Sequence, residues 1–541
     1  MKFTELAEHA MPAGEVTEWV PTVASDGPGW RPDDRPITHD HELHYRRADG
    51  TGWSPDRQSA WLGAVFEIPL PYDHDALGRA LRTWWVRHEA FRTTVRSVDD
   101  GVGGRLQRVT HGPDGLTAVA RRSAAYATGD GVRDHIQKVF DAELSPLTWP
   151  HCVVTTVHGT VPSDCSVVSE TQRTPDSDAA NAETSAGERF VLAFGADHSV
   201  MDAYSMLLTI SELQRLYAGE LDGTDAGLPD IGSHADFSII DRRIGEQLTV
   251  DHPAVERWRD FLAGSGGGFP GFPLPIAAPF RTLSRSGSGA DVLPISAVRG
   301  LLDEELFEPV RPGPPPPQSG GAVHLMTASD ASTLNAHCRR AGYSMQTAIV
   351  AALALTNREL TGSPSTRFAM PMHTRHESQF AESVGWYVGV GPLAVEIDGM
   401  ETLEPCLEAA GSALAITKET SRHPYPRIAQ LLGNYSEPRF VISFLDLRFV
   451  PGAPEWPEWN ARTIRSGVRT DSEVYLWVTR STTGITVSFR HPGNDVAAES
   501  MSRYLETLRT VLEAATTGGI HRRIGHPVVA TLPDDRQRHP A

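Results

Sequence analysis

The sequence predicts an α+β protein folded in two halves, and three observations carry that reading. The chain has 541 residues, about twice the roughly 250–300 at which a single core stops growing. Segments with strand character and segments with helical periodicity occur in both halves. Between them, 264–321 is rich in Gly and Pro (GSGGG, GFPGFPLP, PGPPPPQSGG) and punctuates the chain. The expected organisation is an N-terminal lobe over 1–225, a linker and bridging segment over 226–321, and a C-terminal lobe over 322–541.

The elements follow in order. Residues 1–60, with many Pro, Gly and Asp, read as irregular. AWLGAVFEIPL (60–70) reads as a strand. Asp73 or Asp75 caps the next helix, whose apolar face runs Leu77, Leu81, Trp84, His88, Phe91. Strands are expected at 148–158 and 189–196. The Ser-, Thr- and Asp-rich piece between them, 159–188, buries little apolar surface and reads as a disordered hairpin insertion. A helix over 204–218 closes at Gly219, and another over 253–262 has Pro253 near its start. In the second half, helices are expected at 328–341, 344–357, 402–418 and 495–515. Strands are expected at 366–372, within 384–397, and at 438–445, 472–479 and 484–490.

Composition bounds the function. Hydrophobic residues make up 40% and charged residues 22%, enough for packed cores. A net charge of −19 argues against nucleic acid and against an anionic membrane surface as partners. The four cysteines are isolated and form no CxxC pair, which excludes a structural zinc site of that kind. No window reaches the ~18 consecutive apolar residues of a membrane span, and the first residues lack a signal-type apolar core, so the expected location is the cytoplasm.

Chemistry concentrates in GADHSVMDAYS (195–205). Activating a hydroxyl or amine nucleophile needs a base for its proton, and imidazole is the side chain best matched to neutral pH. His198 follows a strand at a sharp turn, and Asp202 lies four residues on. The bare HxxxD spacing is unspecific. His491 and Asp495 fit it too, but Pro492, Gly493 and Asn494 make that match a turn with Asp495 as the N-cap of the last helix. His88 and Arg92 read as structural groups inside a helix, and His423 as a surface residue. The cluster His39, His41 and His44 lacks the Asp of an HxHxDH zinc pattern, and no metal is expected. GSGGG lacks the Lys and Ser/Thr of a phosphate loop.

The flanking motifs separate the two histidines. RHEAFRTTV (87–95) resembles the RHExLRTxF motif of nonribosomal-peptide condensation domains, and GADHSVMDAYS resembles their MHHxxxDGxS motif. HADF (234–237), VGWYVG (384–389) and RHPYP (422–426) resemble further motifs in the same order. With Asp197 before the histidine, a Gly-Trp-Tyr segment and SFLDLR (443–448), the chain is most similar to the mycobacterial polyketide-associated acyltransferases. The resemblance implies a chloramphenicol-acetyltransferase-like fold of two lobes forming a V around a central tunnel. It implies His198 as catalytic base, and Asp202 held by Arg375 of AMPMHTR (369–375) in a supporting rather than proton-carrying role. It places Asp197, Ala203 and Ser205 along the tunnel. Trp386 and Tyr387 either line the tunnel or are plain core aromatics. Two departures from the condensation motif are Asp197 in place of the first His and Ala203 in place of Gly. No bound cofactor is implied. The donor is an acyl-CoA or an acyl thioester on a carrier-protein phosphopantetheine arm, with an acyl or peptidyl carrier protein as partner and a small hydroxyl or amine acceptor. The alternatives are a stand-alone condensation enzyme making an amide, and a catalytically silent carrier-protein docking module.

Overall fold

A computed structural model of the chain describes residues 3–24, 29–52, 60–98, 104–159, 189–277 and 315–519. The insertion expected at 159–188 and most of the Pro-rich stretch lie outside the described residues.

The first half is built on a seven-stranded sheet in the order Phe3–Glu5, Arg462–Arg465, Trp61–Ile68, Phe190–Asp197, Cys152–His158, Gly14–Val23, Leu116–Tyr126. Both faces are covered. The helices His74–Arg87 and Ala203–Asp222 bury Leu77, Leu81, Trp84, Leu207 and Ile210 on one face, with Phe66, Leu192 and Phe194 from the strands. The helix Gly129–Glu143 buries Val132, Ile136 and Phe140 on the other, with Val65, Val153 and Ala193. Successive strand residues thus enter opposite cores, as the two-residue period of a strand requires. This is why FVLAFGAD reads as a continuous apolar run.

The second half has a six-stranded sheet in the order Gln318–Thr327, Gly484–Pro492, Val474–Ser481, Phe440–Asp446, Ser365–His373, Val388–Glu396. Helices Ala328–Arg340, Met345–Thr361, Leu403–Thr420 and Asp495–Thr517 pack on one face, and Pro253–Ala263 with Tyr425–Leu432 on the other. The Met345 helix is apolar nearly all round because helices flank it as well as the sheet. A three-stranded sheet, Arg31–Asp33, Arg105–Thr110 and Thr93–Val98, stands apart.

The halves are interlocked by the strand Arg462–Arg465. It comes from the C-terminal part of the chain but pairs antiparallel with Trp61–Ile68 and parallel with Phe3–Glu5.

Several sequence expectations need correction. Residues 1–60 are not irregular: Gly14–Val23 is a ten-residue strand and His39–Asp49 a helix capped by the Thr38 side chain. The polar composition of the helix hid it, whereas the strand buries Val16, Trp19 and Val20 in the apolar cores on both faces of its sheet. The helix from His74 ends at Arg87. His88 is its C-cap, and Glu89–Arg92 forms a separate 3-10 turn. The Ala203 helix runs past Gly219 to Asp222 and closes at Gly223, which adopts the left-handed conformation (φ 66°) that Gly219 does not need to supply. Asn494, not Asp495, caps the last helix, its side chain accepting from the Ala497 N–H. The bridging segment contains an unforeseen helix, His234–Glu246, capped by Ser233. His423 is half-buried and lies 4.9 Å, centroid to centroid, from His252.

Candidate active site

The strand Phe190–Asp197 delivers the site. Asp197 is its last residue, and His198 to Val200 form the turn beyond it. The His198 N–H donates to the Ala60 carbonyl at 3.0 Å, and the Val200 N–H to that of Asp197 at 3.1 Å, which fixes the turn. Next, Asp202 caps the Ala203 helix, its side chain accepting from the Ser205 N–H at 2.7 Å.

Asp202 is also the anchor of the second half. Arg375, just past the strand Ser365–His373, donates from Nη1 to Asp202 Oδ2 at 2.7 Å and from Nη2 to Oδ1 at 3.1 Å. This is the two-pronged geometry of a guanidinium on a carboxylate. The Tyr387 N–H adds a bond to Oδ2 at 3.0 Å. Burial works to raise the Asp202 carboxyl. The Arg375 charge and these hydrogen bonds outweigh it and hold the group below the usual carboxylate range. Arg375 also donates to Ser205 Oγ at 2.6 Å and lies over the Tyr387 ring, 4.3 Å from its centroid.

Three sequence motifs converge on 383–387. Ser205 Oγ bonds both the carbonyl and the N–H of Gly385, at 2.9 and 3.1 Å. His234 Nε2 bonds the Trp386 carbonyl at 3.0 Å. His88 Nδ1 accepts from the Val384 N–H at 3.2 Å, while its Nε2 meets Glu212 at 2.7 Å. Glycine is required at 385: a Cβ there would sit 2.6 Å from the His234 ring. The result is a fixed platform for Trp386, whose ring lies 4.1 Å from the His198 ring, tilted by 37°.

His198 itself has no hydrogen bond from either ring nitrogen to another described residue. Nδ1 is buried, and the backbone group acting to raise its proton affinity is the residue's own carbonyl. Burial first, then the charge of His44, push the imidazole below the ordinary histidine range. A cavity of about 160 Å³ opens on the far side of Trp386, lined by Asp40, Asp241, Thr374, Phe380, Gly389 and Arg422 among others. Burial and the neighbouring Asp241 raise the Asp40 carboxyl to about 8.

The other expected site residues fall into two groups. Trp386 borders the cavity and Ala203 is half-buried at the start of its helix. Asp197, Ser205 and Tyr387, expected along a tunnel, are fully buried and engaged elsewhere. Ser205 belongs to the Asp202–Arg375 network, and the Tyr387 hydroxyl meets Ser383 at 2.9 Å. Asp197 is held by His44, 3.1 and 3.2 Å from its two oxygens. The sequence reading missed that role for His44. The three histidines at 39, 41 and 44 look like a cluster, but each turns to different surroundings, and nothing local links positions 44 and 197.

The comparisons with known proteins fit this architecture. Residues 319–522 match the Condensation domain family model. Acyltransferase PapA3 of Mycobacterium tuberculosis is 28% identical over 345 residues, 62% of this chain and 66% of PapA3. The M. tuberculosis 2'-acyl-2-O-sulfo-trehalose (hydroxy)phthioceranyltransferase PapA1 is 24% identical over 358 residues, 64% of this chain and 62% of PapA1. The matched stretches are therefore slightly under two thirds of either relative. In structure, PapA2 acyl transferase superposes with a TM-score of 0.74 at 19% identity, covering 96% of this chain and all of that one. The chain is similar in sequence to the Pap-type acyltransferases over about three fifths of its length and has a condensation-type fold. The likeness of fold extends to both sheets, since the PapA2 superposition covers nearly the whole chain, not only the stretch matched by the family model.

Proposed function

We propose that the chain transfers an acyl group from a thioester, carried by CoA or by a carrier protein's phosphopantetheine arm, to a hydroxyl or amine acceptor. The observation that carries this reading is the state of His198. It is buried, its proton affinity is depressed, and Nδ1 faces inward, which leaves Nε2 as the nitrogen able to take a proton. The acceptor loses its proton to Nε2 as its oxygen or nitrogen bonds to the acyl carbon. The tetrahedral adduct then collapses, the C–S bond breaks, and the thiol departs with the proton that His198 returns. Asp202 takes no part in this proton traffic, because its carboxylate is already engaged by Arg375 and two backbone N–H groups. Its role is to hold the two halves around His198. Trp386 touches the imidazole with its ring and also borders the cavity lined by Asp40 and Asp241.

The trehalose-directed activity named for PapA1 favours a hydroxyl acceptor over an amine. Carrier-protein docking and a cytoplasmic location belong to the same reading.

The test is turnover followed by intact-mass spectrometry. The purified chain is offered a panel of acyl-CoA and acyl-carrier donors with alcohol and amine acceptors, beside His198→Ala. Acylated acceptor from the wild type alone is expected. Equal thioester consumption by both proteins would remove His198 from the role of base. Stable docking of a carrier protein without turnover would favour the silent docking module.

A further inference from the structure

The residue before His198 is a carboxylate, and its partner comes from a distant element. Asp197 is fully buried. It accepts from the Ser199 N–H at 2.8 Å, and His44, projecting from the helix His39–Asp49, places Nε2 within bonding distance of both its oxygens, at 3.1 and 3.2 Å. The His44 ring also stands edge-on to Trp386, centroids 5.8 Å apart, so one indole touches both His44 and His198.

A buried carboxylate without a cation draws a proton to the nearest base. The other histidines around this site are poor candidates to supply that charge. His151, facing Asp197 from the start of its strand, is held below the histidine range by burial, as is His41 on the His44 helix. His234, facing Asp202, is pushed down to about 4 by burial. Arg375 is committed to Asp202. That leaves His44 and His198. We propose that His44 is a positioning residue for the reaction: paired with Asp197, it cancels the buried negative charge beside His198, so that His198 remains an unprotonated base at neutral pH. This rests on the reading of His198 as the base. It also accounts for Asp197 in place of a histidine, because the second imidazole is supplied by another helix. Burial works to raise the Asp197 carboxyl, but His44 and the Ser199 hydrogen bond hold it below its usual range, whereas burial and the His44 charge together depress His198; both directions agree with such a pair.

Histidine C2 hydrogen–deuterium exchange, read by mass spectrometry on the full chain from about pH 5 to about pH 9, reports the His198 titration without requiring turnover. In His44→Gln the His198 midpoint is expected to move up in pH. The acid limb of kcat/KM moves with it, costing roughly tenfold in rate per unit of movement at low pH and less toward high pH. The double variant His44→Gln/Asp197→Asn removes both charges and is expected to restore the wild-type midpoint. An unmoved His198 midpoint in His44→Gln overturns the proposal, and so does a rate loss equal at every pH, which would assign His44 to packing alone. Should His44→Gln fail to fold, Asp197→Asn asks the same question from the other side: loss of the anion must leave the midpoint at or below that of the wild type, and a rise overturns the pairing. A midpoint that moves in a chain without any turnover upholds the pairing and refutes the acyl-transfer reading instead.

Discussion

At the scale of single residues, the Asp202–Arg375 pair and His198 divide the labour, and substitutions should separate them. Arg375→Ala leaves a buried carboxylate with no cation, an arrangement that costs about 3–5 kcal/mol when one partner of a buried pair is removed. The expected result is a markedly lower melting temperature together with lost activity. Arg375→Lys should not rescue it, because an ammonium cannot reproduce the two parallel bonds and the Ser205 contact. His198→Ala should behave in the opposite way: a loss of roughly 10²–10⁴-fold in transfer, with the melting temperature nearly unchanged. Equal stability losses in both variants would contradict this division. The pair also sets an acid limit. The folded-state proton affinity of Asp202 is depressed, so its contribution is present above the unfolded carboxyl range and is lost as pH falls through the lower folded value. Much of this site was legible in the sequence: His198 and Asp202 lie four apart on one strand-turn-helix, and the flanking motifs singled them out. The His44–Asp197 contact was not, because it joins positions distant in sequence through a fold no local pattern encodes.

At the scale of elements, the segment 383–387 is the piece whose geometry matters most. It buries Val384 and Tyr387 in apolar clusters and is fixed by hydrogen bonds with Ser205, His234 and His88. Gly385→Ala would push against the His234 ring and displace Trp386 from His198. A misplacement of about 1 Å can cost about 100-fold in rate, so turnover should fall by that order with a modest stability loss. Unchanged kinetics would mean that the Trp386 platform is not part of the reaction. The helix His39–Asp49 carries a second test. Asp40 holds its proton to about pH 8 in the fold, against an ordinary carboxyl value near 4 when unfolded. The folded state therefore binds the extra proton, and stability falls as pH rises through that window. Asp40→Asn cannot ionise, so its melting temperature relative to the wild type should rise between pH 5 and pH 9 (about the two ends of that window). A difference independent of pH would show that Asp40 ionises freely in the fold. This same helix went unread in the sequence, because its residues are mostly charged or His and its capping residue, Thr38, lies in a Pro-rich setting. The strongly periodic elements, such as the helices at His74, Met345 and Asp495, were legible to within a few residues.

At the scale of the whole molecule, two long-range ties decide how the halves behave. One is the Asp202–Arg375 pair. The other is the strand Arg462–Arg465, which fills a slot in the first sheet between Trp61–Ile68 and Phe3–Glu5. The first was implied by the family resemblance; the second could not be read from a chain divided at its Gly- and Pro-rich linker, which suggests two self-sufficient lobes. The interlock predicts that they are not self-sufficient. A fragment ending at residue 277 lacks both Arg375 and the crossing strand. It would carry an unpaired buried Asp202 and would expose the edge of Trp61–Ile68, a strand whose alternate residues are large and apolar. Such an edge invites pairing with another chain. The fragment is therefore expected to aggregate on expression, whereas the full chain should show one cooperative calorimetric transition for the described core. A fragment that stays monomeric and unfolds cooperatively would show that the crossing strand adds a seam between two independent domains. In that case Asp202 must find another partner inside the first half, and the account of the site as a product of both halves fails with it.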